Sequence, residues 1–297
     1  MAEILLGGEA LAAGVVTRHG LRHRYSPLFR GVYIDKRVEP SLRDRAIGAW
    51  LATRRRGVVA GVAASALHGA PWVDPTEPID VVGVKIQSQE GLIPRSERIA
   101  GDEIVRISGL PVTSRVRTAF DLGRHLDRPE ALARLDALMW NQRYQVDDVL
   151  ALSDRYPRVR GVRQLRELLP LVDGGASSPW ESRIRLLLMD AGFPRPETQI
   201  PVVRGVTPVA WLDMGWRDFA VAVEYDGDLG APPRVQGGHR KNRRQYVKDI
   251  ARLRMLEALG WNVIRVIAED KPQDVIARVE AALVSRGCFI EANLLAA

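Results

Sequence analysis

Residues 178–226 read SPWESRIRLLLMDAGFPRPETQIPVVRGVTPVAWLDMGWRDFAVAVEYD, and this stretch decides the fold class, because it passes from a helical to a two-residue apolar period. Ser178 is placed as an N-cap, Pro179 at the first helical position and Glu181 three residues on, the pattern of a capping box. Ile184, Leu187, Leu188 and Ala191 recur on one helical face, and Gly192 is a natural stop. Glu181 lies one turn before Ile184, so it either satisfies a backbone N–H or projects toward whatever that face covers. Three β-type runs follow, QIPVV, VAWLDMG and FAVAVEYDG. The short WRD between the last two predicts an antiparallel hairpin. In the third run Phe219, Val221, Val223 and Tyr225 share one face, leaving Ala220, Ala222, Glu224 and Asp226 on the other. Glu224 and Asp226 then stand about 6.5 to 7 Å apart along the strand, with Asp213 opposite or diagonal across the hairpin. Carboxylates gathered on a half-buried sheet raise one another's pKa unless a cation intervenes. Oxygen-only ligands suit Mg²⁺ or Mn²⁺, which polarises a phosphodiester and acidifies an attacking water. Asp226 followed by Gly227 reads equally as a strand-ending turn.

Downstream, GHRKNRRQYVKDIARLRMLEALGW predicts a helix buried through Tyr246, Ile250, Leu253 and Leu256, stopped at Gly260 and followed by the strand NVIRVI. Arg240, Lys241, Arg243, Arg244 and Lys248 crowd its start, where exposed N–H groups add to their attraction for phosphate. His239 is a candidate general base or water-holding group and equally a loop bystander. Asp249 and Arg252, three apart, read as a pair on one helical face.

Upstream of the DGGASS linker at 173–178, residues 1–60 hold 11 Lys/Arg against 5 Asp/Glu, an excess of six; downstream of it, residues 240–254 hold 7 against 1, the same excess. Two basic patches of this kind are an electrostatic footprint for a polyphosphate backbone, or simply solvated faces. Small helices lead into the β-type run LFRGVYID. In a winged helix, Arg18, Arg22, Arg24 and Arg30 would lie on or near the groove-facing helix and its wing. Ser41 is expected to cap a helix through Leu42, Ala46, Ile47, Trp50 and Leu51, whose end carries Arg54, Arg55 and Arg56. A short helix over GVAASALHG follows, with His68 a structural group. The runs PIDVVGVK and EIVRISG predict a small sheet, covered by helices from Thr113 to Leu169.

The division expected is 1–75, 76–172 and 178–290, an α+β multidomain chain: an N-terminal winged-helix region, a middle α+β region and a C-terminal α/β unit. No run approaches the roughly 18 apolar residues of a membrane span, and acidic Glu3 and Glu9 with no basic start argue against a secretory signal. The expectation is a cytoplasmic protein of unknown oligomeric state. One cysteine, Cys288, excludes an internal disulfide.

As a set, ESRIRLLLMDAGFPRPETQIPV, WLDMGW, VEYDGD and HRKNRRQYVKDIARLRMLEALGWNVIRV closely resemble the very-short-patch-repair (Vsr)-like, restriction-endonuclease-like domains of actinobacterial proteins, over residues 178–280. The resemblance implies a PD-(D/E)xK fold that cleaves DNA with Mg²⁺. It places Asp213 and Glu224 as metal ligands, Glu181 and Asp226 as additional acids and His239 in the catalytic set. The lysine that the general motif carries two residues after the second acid is Asp226 here, so its work would fall to His239 or Lys248. The first 172 residues resemble type IV (AbiEi) antitoxins through LFRGVYI, ASALHGAP and LPVTSRVRTAFDL, which implies operator binding and a cognate toxin partner. The alternative to a nuclease is a non-catalytic transcriptional regulator or antitoxin holding DNA on a degenerate nuclease fold.

Overall fold

The computed structural model describes residues 3–140, 142–227 and 239–289, the side chains of 239–246 excepted. The chain divides into two compact units, 1–174 and 175–297, of mixed α and β structure.

The first unit runs β1 (Ile4–Leu6), α1 (Gly7–Ala12), α2 (Arg18–Arg24), β2 (Tyr25–Phe29), β3 (Val32–Asp35), α3 (Leu42–Ala52), β4 (Val58–Ala60), α4 (Gly61–Leu67), β5 (Ile79–Val82), β6 (Leu92–Arg95), β7 (Ile104–Ile107), β8 (Leu110–Thr113), then α5 (Arg115–His125), α6 (Arg128–Met139), α7 (Val146–Arg155) and α8 (Val162–Leu168). A three-stranded sheet, β1-β3-β2, is antiparallel throughout. A five-stranded sheet has the order β6-β5-β4-β8-β7 and mixes parallel and antiparallel pairs. One apolar cluster, from Phe29 and Val32 through Ala46, Val59, Ile79 and Leu92 to Val112, spans both the basic N-terminal segment and the middle sheet. Ser41 caps α3 as expected, and does so in a reciprocal box with Asp44 that the sequence reading did not include. The helical run expected up to Leu169 is broken: Gly161, at φ +82°, sits between α7 and α8 where a Cβ would meet the Arg124 carbonyl at 2.1 Å, so only glycine fits.

The second unit runs α9 (Pro179–Asp190), β9 (Glu197–Arg204), β10 (Thr207–Trp216), β11 (Val221–Tyr225), α10 (His239–Ala258), β12 (Asn262–Val266) and α11 (Pro272–Ser285). Its sheet has the order β12-β11-β10-β9, with β9, β10 and β11 antiparallel and β11 parallel to β12 across the α10 crossover. Two-residue alternation splits β11 as the sequence predicts. Val221 and Val223 join Ile184 and Leu188 of α9 and Val275 and Val279 of α11. Ala222 instead joins Ile200, Leu212 and Leu256 of α10. The sheet is therefore covered on both faces, and Glu224 follows Ala222 toward the α10 side.

Candidate active site

Asp213 and Glu224 occupy the next register position of the β10–β11 ladder, one step beyond its last pair. Pairing ends at Met214↔Val223. One step beyond, Asp213 Oδ2 accepts the Tyr225 backbone N–H at 2.9 Å, so a side chain supplies the acceptor where the strands part. On the other side of Asp213, Gln199 of β9 takes φ +49°, a left-handed kink for a residue with a Cβ. Its Nε2 donates to Ser177 Oγ at 2.9 Å.

Glu181 enters from the first turn of α9. Its N–H donates to Ser178 Oγ at 3.2 Å, while its Oε2 accepts from Ser177 N at 2.7 Å. The carboxylate thus closes on the residue before the N-cap, one position earlier than in the expected box. Glu181 is 6% exposed and Glu224 8%. Burial, with the charges of Asp213 and Glu224, pushes the Glu181 carboxyl up to about 7. Burial also raises Asp213, with Glu224 adding to it and the Tyr225 N–H and Arg252 opposing. Glu181 and Asp213 thus feel the neighbouring acids, whereas the sequence expectation grouped Asp213 and Glu224 with Asp226.

Among the described residues, Arg252 of α10 is a cation bonded to this cluster. Nη1 donates to Glu224 Oε2 at 2.7 Å, and Nη2 donates to Glu224 Oε1 at 2.5 Å and to the Trp211 carbonyl at 2.7 Å. Those bonds, with the charges of Asp213 and Asp249, hold the guanidinium charged. Asp226 is ion-paired to Arg265 of β12. Lys248 is exposed on α10. The side chains of His239, Arg240, Lys241, Arg243 and Arg244 lie outside the described residues. Beside the acids, the Trp180 and Tyr225 rings stack at 5.3 Å, and the Arg183 guanidinium sits 5.1 Å from the Trp180 ring centroid.

Charge counting decides what this cluster can hold. Arg252 balances Glu224, but Asp213 is bonded to a backbone N–H and Glu181 to another. Among the described residues the acids therefore outnumber the cations bonded to them, the donors are all oxygens, and Glu181 and Glu224 are buried, a combination that suits a hard divalent cation. Glu181, Asp213 and Glu224 would hold it.

A second cluster, in the first unit, was not anticipated from sequence. Glu97, Asp121 and His125 bring one ligand atom each within 4.8 Å of one another, the closest such grouping among the described residues. Every member is already bonded. Asp121 accepts from Arg117 Nε at 3.1 Å and from Arg124 at 3.1 Å. Glu97 accepts from Arg124 and, at 3.0 Å, from His125 Nε2. Arg117, with a side chain 1% exposed, also binds Glu103, which in turn accepts from Tyr156 Oη at 2.6 Å. Burial pushes Asp121 up to about 6, while burial and the Arg124 and Arg95 charges push His125 down to about 3. Guanidinium groups already occupy the place a metal would take, so this is a structural ion network despite its tighter geometry. TSRVRTAFDLGRHL does carry Arg117, Arg124 and His125 three or four residues from Asp121, a local hint of it, but Glu97 and Glu103 arrive from outside that helix.

Of the N-terminal basic residues, Arg18, Arg22 and Arg24 are exposed along α2, whose N-cap Thr17 accepts from Gly20 N. Arg30 is exposed in the β2–β3 turn, its N–H donated to Gln89 Oε1 at 2.8 Å. Arg55 pairs with Glu9 at 2.7 Å. His68 Nε2 meets the Thr113 carbonyl at 2.8 Å, the structural role expected of it.

Comparison with known proteins adds kinship. Two Mycobacterium tuberculosis proteins, uncharacterized protein Rv2248 (strain H37Rv) and uncharacterized protein MT2308 (strain CDC 1551), are each 32% identical over 203 residues, covering 66% of this chain and 70% of theirs. The chain belongs to their family. No protein-family model matches it. Among the described residues no helix is long and apolar enough to cross a membrane.

Proposed function

We propose that this protein binds DNA and that its second unit hydrolyses DNA phosphodiesters with Mg²⁺ or Mn²⁺, in a Vsr-like, restriction-endonuclease-like arrangement, in the cytoplasm. One observation supports the reading: Glu181, Asp213 and Glu224, from α9, β10 and β11, lie close enough to feel one another's charge, and among the described residues Arg252 alone is bonded to them as a cation. Asp213, Glu224 and Glu181 hold the ion. When bound, the cation supplies Lewis acidity and a water acidified enough to attack phosphorus. Lys248, with the basic start of α10, holds the DNA backbone. In the first unit, α1, α2 and the β1-β3-β2 sheet are read as a winged-helix-like region that docks on duplex through Arg18, Arg22, Arg24 and Arg30.

Nicking of supercoiled plasmid under Mg²⁺ or Mn²⁺ tests this. The wild-type chain is expected to nick, and the Asp213→Asn, Glu224→Gln double variant to lose at least about 100-fold, the scale of removing groups that stabilise transition-state charge. Undiminished cleavage by that variant would remove the assignment.

A second reading is favoured by the two ion pairs, Glu224–Arg252 and Asp226–Arg265, which neutralise two of the expected acids within the protein. In it the chain is a non-catalytic transcriptional regulator or type IV antitoxin with a cognate toxin. A salt-sensitive shift of duplex DNA, with no cleavage under either metal, supports that reading over the first.

A further inference from the structure

Both carboxylate oxygens of Glu224 are taken by Arg252, yet the two partners are not equally sheltered: the Arg252 side chain is 36% exposed and that of Glu224 11%. The acid is fixed in a strand and the base reaches it from a helix. One turn earlier on that helix stands Lys248, exposed and at i,i+4 spacing from Arg252, so the two side chains rise from the same face of α10, their Cβ atoms about 5–6 Å apart. A phosphate attracted to Lys248 is therefore within reach of the Arg252 guanidinium, whose planar fork suits phosphate as well as carboxylate.

We propose that Arg252 is the exchangeable counter-ion of this site: in the free protein it neutralises Glu224, and when nucleic acid lies along α10 it moves to a backbone phosphate and releases Glu224 to a divalent cation. This deepens the metal-dependent reading above and rests on it. Glu224 then changes one cation for another and is never left uncompensated, while the ion enters only where there is a phosphodiester to act on. Metal and DNA binding become linked, and linkage is reciprocal: each raises the affinity of the other by the same factor.

The test is Mn²⁺ binding by the full chain, read from the loss of the free-ion electron paramagnetic resonance signal, without DNA and with a short duplex. The Asp213→Asn, Glu224→Gln variant under the same conditions corrects for ions held by the duplex itself. Wild type is expected to bind Mn²⁺ weakly alone and about tenfold more tightly with duplex. Arg252→Gln is expected to bind Mn²⁺ about tenfold more tightly than wild type without DNA, and to lose the duplex effect. Arg252→Lys, which keeps the charge but not the fork, should fall between them and stands in for the glutamine variant if that variant does not fold. If Arg252→Gln and Arg252→Lys bind Mn²⁺ no more tightly than wild type in the absence of DNA, while the carboxylate variant has lost binding, the counter-ion role is overturned and the metal site stands. If the carboxylate variant binds as wild type does, both fall together.

Discussion

Glu181 is held by opposing demands. The Ser177 and Ser178 N-terminal contacts favour its carboxylate, while burial and the charges of Asp213 and Glu224 favour its acid and prevail, leaving it at about 7 against 4.5 for a free side chain. A carboxyl whose folded pKa lies above its unfolded one stabilises the fold only while protonated: the contribution is complete below about 4.5 and is lost as pH rises through about 7. In chelator-treated protein, Glu181→Gln should therefore gain stability relative to wild type between about pH 5 and pH 8, by on the order of 2 kcal/mol. Urea unfolding at the two pH values measures it, and identical pH dependence in both proteins would contradict the description of the cluster. At this scale the acids were legible and their partners were not. A two-residue period suffices to place Glu224 beside Asp226 on one face. The same sequence pairs Arg252 with Asp249, its helical neighbour, and nothing local indicates that its guanidinium spans to Glu224 and the Trp211 carbonyl, because that contact exists only once α10 has crossed the sheet. Arg265 and Asp226 meet for a similar reason, through the parallel β11–β12 register.

The site depends on how closely β10 and β11 approach just before they part. Gly215 lies opposite Ala222, and a Cβ there would meet the Val221 carbonyl oxygen at 2.3 Å and Ala222 Cα at 2.8 Å. Both obstacles are backbone and cannot swing aside, so Gly215→Ala should destabilise the second unit by roughly 1–3 kcal/mol, read as a lowered thermal midpoint; an unchanged midpoint would refute this packing. Ser178→Ala removes the acceptor for Glu181 N–H and should cost about 1 kcal/mol, with Ser178→Gly losing less. Caps, helix faces and the hairpin were all readable, since each is written within a few residues. What resisted was irregularity: the break at Gly161, the positive φ of Gln199 and the parting of the strands at Asp213 are imposed by neighbours distant in sequence.

Across the whole molecule, charge has two different uses. In the first unit it is consumed internally: Arg117, fully buried, is bonded to Glu103 and Asp121, and removing one partner leaves buried charge uncompensated. Arg117→Met is expected to destabilise that unit by about 3–5 kcal/mol without altering Mn²⁺ binding at the second. On the surface it stays available, at Arg18, Arg22 and Arg24 of α2 and Lys248 of α10. DNA affinity should fall linearly with the logarithm of salt concentration, and replacing those three arginines by glutamine should flatten the slope by roughly 0.9 for each phosphate they would otherwise neutralise. A slope unchanged by the triple replacement would remove the first unit from the DNA interface. The acids of the second unit, and not the tighter cluster in the first, are expected to take the ion. Anomalous diffraction from crystals of the full chain grown with Mn²⁺ and a short duplex tests it most directly: a peak bounded by the Asp213 and Glu224 carboxylates is the result expected, and a peak only among Glu97, Asp121 and His125, or none at either place, would contradict it.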